Sequence, residues 1–222
     1  MSVSERQSRH DEVIRSLAAD LMPVRPLQPP GLQTFVWLAF VIVMGFGLSA
    51  VADRPAVGAR LMAAPDMWLS ALGSALTTVL AAIAAFQLSM PDRNRLWTAL
   101  PIPAAVLWIA ASGAGCLRTS LMPGMHAAAM DDTKDCVAFV TAVSVPLSAM
   151  LLVMLRRAHS LQPGLAAVSA GLASAAAAAT LLNLFHPYDA SVTDLVVHTV
   201  AVAVVILANR AYGGRILQTR NA

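Results

Sequence analysis

Six stretches of this chain are too long and too apolar to belong in water. They run over residues 34–52, 67–89, 97–115, 137–155, 165–185 and 195–212, and none has Lys, Arg, Asp or Glu in its central part. A hydrocarbon core about 30 Å thick is crossed by roughly 20 apolar residues in a helix. Inside lipid every backbone N–H and C=O must find its partner within the segment or a closed barrel. Runs of this length predict the helical solution: an all-α polytopic membrane protein with six transmembrane helices. Composition agrees, since only 12% of the 222 residues are charged, about half the fraction typical of a soluble domain. The net charge of +3 comes from basic residues spread through short loops. It does not form the basic stripe of a nucleic-acid binder, and no direct nucleic-acid binding is expected. The first run follows 33 largely polar residues, whereas a cleaved signal peptide has its apolar core close to the N-terminus.

The loops predict orientation. Short cytoplasmic loops carry an excess of Lys and Arg. With the N-terminus inside, 11 of the 15 basic residues fall inside: Arg6, Arg9, Arg15, Arg25, Arg93, Arg95, Arg156, Arg157, Arg210, Arg215 and Arg220. Arg54, Arg60, Arg118 and Lys134 fall outside, together with Asp53, Asp66, Asp131, Asp132, Asp135, Asp189 and Asp194. Both termini are therefore expected to be cytoplasmic. The chain divides into a cytoplasmic segment 1–33, a six-helix domain 34–212 and a cytoplasmic tail 213–222. The fifth run spaces Gly164, Ala167, Gly171, Ala175 and Ala179 at near four-residue intervals. Such faces let helices approach closely in lipid, so this span is expected to be the packing centre. The spans do not pair into two similar halves.

The cytoplasmic segment carries its own pattern. In "SRHDEVIRSLAADLM", residues 8–22, Val13, Leu17 and Leu21 recur every four residues with Ile14 and Ala18 beside them. That is one apolar stripe on a short amphipathic helix. Ser8 and Asp11 suit a capping box at its start, and Pro23 ends the pattern. Four prolines between Pro23 and Gly31 favour an extended, semi-rigid spacer. A lone helix of this length is marginal in water, so Val13, Ile14, Leu17, Ala18 and Leu21 need a cover. Three are open: the membrane surface, the protein's own loops, or a groove on a soluble partner that accepts a helix. Four acids, Glu5, Asp11, Glu12 and Asp20, dilute the basic face, and the proline spacer holds the helix away from the bilayer.

The chain has two cysteines, Cys116 and Cys136, one at each end of a single outward loop. Other metal- or redox-capable groups gather on the same side: His126, Asp131, Asp132, Asp135, His186, Asp189, Asp194 and His198. One reading is a structural disulfide or two small apolar residues. The other is a sensor, in which thiolates with imidazole from His186 or His198 take heavy metal or zinc, or the thiols exchange with a disulfide. No cofactor is required by either. His126 and His159 read as solvated loop histidines. No nucleophile–base arrangement and no Gly-rich phosphate loop stands out, so an enzyme is not expected. A thiol oxidoreductase usually relays through a Cys-x-x-Cys pair, which is absent from the sequence. A small transporter or metal exporter, the other rival, would usually carry ionisable groups in mid-bilayer.

Several pieces, in order and spacing, resemble one family. They are "LAADLMPVRPLQPPG" before the first span, "AAFQLSMPDRNRLW" between the second and third, and "GCLRTS" after the third. "DCVAFVTAVSVPLSAMLLVMLRRAHSLQPGLAAVSAGLAS" follows, and then "HPYDASVTDLVVH" between the last two spans. Together they are similar to the bacterial six-span anti-sigma factors of the NrsF type. The resemblance implies a multi-pass protein of the bacterial inner membrane. Its cytoplasmic segment would hold an extracytoplasmic-function sigma factor away from RNA polymerase, and metal or oxidative stress in the periplasm would release it. It also implies that the signal enters at Cys116 and Cys136. The family often has His-Cys-Pro after the fifth span, where this chain has Phe185-His186-Pro187. An imidazole in the cysteine's place can still bind metal but cannot form a disulfide.

Overall fold

The computed structural model describes residues 3–19, 28–50, 65–121, 130–157, 162–185 and 192–218, and they are helical almost throughout. Helix α1 covers Val3–Ala19, α2 Pro30–Ser49, α3 Pro65–Leu88, α4 Ile102–Leu121, α5 Met130–Leu155, α6 Pro163–Phe185 and α7 Val192–Ala208. A 3-10 turn at Arg95–Ala99 leads into α4, and a π-helical turn at Asn209–Gly213 joins α7 to the short α8, Gly214–Gln218. Six helices are long and apolar enough to cross a membrane, by length and composition. Among the described residues there is no strand.

Local chemistry sets the helix ends. Pro29 sits extended at φ −59°, ψ 140°, and Pro30 opens α2. A proline at the first helical position gives up only an N–H that has no partner there anyway. Helix α1 starts at Val3, not at Ser8, so Ser8 lies inside the helix and not at its cap. The residues between Val3 and Ser8 lack Gly and Pro, so nothing in them breaks a helix. Its expected last turn, with Leu21 and Pro23, lies outside the described residues. Helix α5 begins at Met130, seven residues before its apolar run, because nothing in "MDDTKD" breaks a helix. The last span also runs on past residue 212, through the π-turn to Leu217.

Helix α6 is the centre of the bundle. Within its apolar window 78% of the residues are buried, against 17–50% for the other five spans. Ala167, Ala175 and Ala179 of the small-residue series are buried. Its main neighbour is α3, and α5 and α7 pack on its other sides. Helix α4 docks on α3 and α7, whereas α5 docks on α6, α7 and α2. Though successive in the chain, α4 and α5 do not pack along one another among the described residues.

Two glycines permit the closest crossings. A Cβ at Gly73 would lie 2.7 Å from the backbone N of Trp108, and one at Gly171 would lie 2.9 Å from Cα of Ile206. In lipid, where apolar burial gives helices little reason to associate, such close contact is the main attraction.

Side-chain hydrogen bonds add register. Ser70 and Ser112 pair at 2.9 Å between α3 and α4. Thr180 of α6 donates to Ser74 of α3 at 3.0 Å. Asn209 donates to Ser148 of α5 at 3.0 Å. Each such bond contributes about 0.6 kcal/mol on average, so they select one arrangement more than they hold it together. Thr77, Thr78 and Ser174 instead donate to carbonyls one turn back in their own helices, which satisfies their hydroxyls in an apolar setting.

Candidate functional site

Neighbouring spans alternate in direction, which gives the bundle two distinct ends. At one end α2, α4 and α6 begin while α3, α5 and α8 finish. At the far end α3, α5 and α7 begin. The residues with site chemistry divide between these ends.

Cys116 lies near the end of α4 and Cys136 near the start of α5, so both thiols are at the far end. Both are buried, with 3% and 5% of their surface exposed, and no disulfide joins them. Their environments differ. Cys136 belongs to the main apolar core with Val140, Ala177, Ala178 and Leu181. Cys116 sits one helical turn from Ser112, the residue that pairs with Ser70 on α3. His198 is half-buried on α7, the helix that packs on both thiol-bearing helices. Among the described residues no three His, Cys, Asp or Glu side chains group tightly enough to hold a metal ion. His186, His126 and His159 lie outside the described residues. The two thiol-bearing helices thus have different main neighbours, α3 for α4 and α6 for α5, and share α7.

At the opposite end α1 precedes α2. Every residue from 7 to 19 is exposed. Val13, Ile14 and Leu17 have 51%, 63% and 65% of their surface open, and Ala18 beside them is exposed too. Leu21 falls outside the described residues. A row of medium and large aliphatics left open on a helix is suited to binding an apolar groove. The basic residues Arg93, Arg95, Arg156, Arg157 and Arg215 belong to the loops and helix ends of this same end of the bundle.

The polar interior holds two residues that sequence patterning alone did not single out. Trp37 is fully buried, and its indole N–H reaches the carbonyl of Leu147. Asn209 is 6% exposed and opens the π-turn, with Nδ2 bonded to Ser148 and to the Val205 carbonyl. Its Oδ1 is buried and accepts no bond among the described residues. The available signal was the lone amide near the end of the sixth apolar run, since an unsatisfied polar group in lipid is costly.

No match was found among curated proteins or among solved structures. A family match exists, to the family described as "Negative regulator of sigma F", and it extends over residues 17–218. It takes in the last turn of α1, all six membrane-compatible helices and both cysteines. With nearly the whole chain matched and the six-span helical architecture in place, the protein belongs to the NrsF family of negative regulators of sigma F.

Proposed function

We propose that this protein is an inner-membrane anti-sigma factor that holds an extracytoplasmic-function sigma factor through α1 and frees it when metal or oxidant reaches the far end of the bundle. The observation that carries the reading is the open aliphatic row Val13, Ile14 and Leu17 on a helix exposed from residue 7 to residue 19, in a family of sigma regulators. Ala18 lies beside the row, and the sequence spacing adds Leu21 to the proposed contact. The partner is a protein groove, in the mode by which amphipathic helices bind.

Arg93, Arg95, Arg156, Arg157 and Arg215 lie towards the end from which α1 extends. The positive-inside rule makes that end cytoplasmic, with both termini inside and segment 1–33 free to meet sigma. The opposite end then faces the periplasm, where thiols meet an oxidising milieu. The six membrane-compatible helices run from Pro30 to Leu217, which makes the cytoplasmic tail shorter than the apolar runs alone suggest.

The sensing step uses Cys116 and Cys136. With an oxidant, two thiols lose two electrons and two protons and become a disulfide, and the oxidant is reduced. With a soft metal ion the thiols lose protons and ligate it, and imidazoles from His186 and His198 complete the set. Either event couples the end of α4 to the start of α5, and α7, which packs on both helices, would carry the change into the bundle. To empty a nearly full complex, the altered state must bind sigma weaker by several kcal/mol.

The test is gentle purification of the protein from native membranes of unstressed cells, with and without residues 1–33. A sigma factor that co-purifies with the full chain and is lost on truncation supports the reading. No sigma factor with either form contradicts it.

A further inference from the structure

The contact between α3 and α4 has a regular register. Gly73 faces the backbone of Trp108, at a distance no side chain could share. One turn towards the far end, Ser70 and Ser112 pair at 2.9 Å. The next turn of α4 carries Cys116, four residues on from Ser112 and on the same face. Ser70 is buried, and so is Cys116, at 3% exposure. The thiol thus lies one turn beyond the hydroxyl pair, on the face of α4 that the pair ties to α3. On its other side α3 is held to the bundle, because Ser74, one turn from Ser70, accepts from Thr180 of the central helix α6.

We propose that the Ser70–Ser112 pair is a clamp that positions Cys116 against α3 and so sets how fast that thiol reacts with any reagent arriving from the far end. The hydroxyls act through the cysteine and are positioning residues. Breaking the pair lets the end of α4 lift from α3 more often, while Gly73 and Trp108 still hold the crossing beneath. Cys136 sits in a different wall, on α5 against α6, and is outside the clamp's reach. The consequence for sigma release rests on the function proposed above. The reactivity of Cys116 does not.

The experiment uses the full chain in native membrane vesicles and N-ethylmaleimide as the thiol probe. Alkylation of the two cysteines is followed separately by mass spectrometry. Ser70→Ala and Ser112→Ala are each expected to speed Cys116 alkylation about three- to twentyfold, the range that interhelical hydrogen bonds in membranes span. The double variant is expected to be no faster than either single, because one bond is lost in each case. Ser112→Thr, which keeps the hydroxyl, should return close to the parent rate. Ser144→Ala removes a buried hydroxyl with no partner on α5 and should leave Cys116 unchanged. Unchanged Cys116 rates, additive effects, or equal acceleration at Cys136 would overturn the clamp. A second readout is the oxidant dose at which sigma is released. Faster alkylation with a lower dose supports the clamp as part of sensing. Faster alkylation with an unchanged dose keeps the clamp and removes Cys116 from the signalling route.

Discussion

The indole N–H of Trp37 donates to the backbone carbonyl of Leu147 at 3.1 Å, across 110 residues of sequence. Leu147 directly follows Pro146, which lies inside α5 and interrupts its hydrogen-bond ladder. Pro146 leaves the carbonyl of Ala142, four residues back, without its helical donor, so the Leu147 carbonyl is a different group and takes the indole as an additional donor. The bond ties α2, the helix that follows α1 in the chain, to α5, the helix that carries Cys136. Trp37→Phe keeps most of the bulk and removes the donor. It should lower stability by about 0.5–1.5 kcal/mol, read as a fall in thermal midpoint in mild detergent. Trp37→Ala should lower it by roughly 3–5 kcal/mol, because it also leaves a cavity.

Three glycines separate close packing from helix propensity. Gly73→Ala and Gly171→Ala each push a methyl to within 3 Å of a neighbouring backbone, and each should destabilise by about 1–3 kcal/mol. Gly113 has nothing within 4 Å of an added Cβ. Gly113→Ala should therefore be neutral or stabilise by up to about 1 kcal/mol. Thermal unfolding of the three variants in one detergent compares them directly.

Asn209 tests the polar interior. Asn209→Asp replaces a donor that serves both Ser148 and the Val205 carbonyl with an acidic oxygen. A buried charge without a partner costs far more than a missing amide. Asn209→Asp should be less stable than Asn209→Ala at neutral pH and should recover part of the difference as pH falls and the carboxyl takes up a proton. Equal stability of the two variants across pH would show that water reaches this site.

The sensing reading predicts a separable phenotype. Cys116→Ser with Cys136→Ser should still retain sigma in unstressed cells and should fail to release it on exposure to metal or oxidant. A normal response would remove the thiols from the signal route while leaving sigma binding untouched.

Leu17→Glu probes the opposite end. Leu17 is exposed, so the substitution should change bundle stability by no more than about 0.5 kcal/mol. If Leu17 anchors the partner, sigma binding should weaken about 30-fold or more. Binding to the purified protein in nanodiscs, alongside thermal unfolding, separates the two effects.

Much of this architecture was legible because lipid imposes simple rules. Each apolar run became a helix, and the small-residue spacing from Ala167 to Ala179 marked α6 as the centre. Helix ends were less legible. "MDDTKD" extends α5 as helix beyond the apolar run, and Asn209 carries α7 through a π-turn, because hydropathy sees the membrane's edge and not the helix's. The lateral neighbours of each helix were not legible at all. Cys116 and Cys136 flank one loop in sequence, yet α4 packs mainly on α3 and α5 mainly on α6, with α7 against both. That choice depends on contacts such as Gly73 on Trp108, which no local pattern encodes.

The central claim is that the open face of α1 is covered by a sigma factor. The most direct test is a photo-crosslinking amino acid at position 14, in the full chain in living cells. The account predicts a cross-link to a sigma factor in unstressed cells that fades after metal or oxidant treatment. Cross-linking to lipid or to the protein's own bundle, with no sigma adduct before stress, would contradict it.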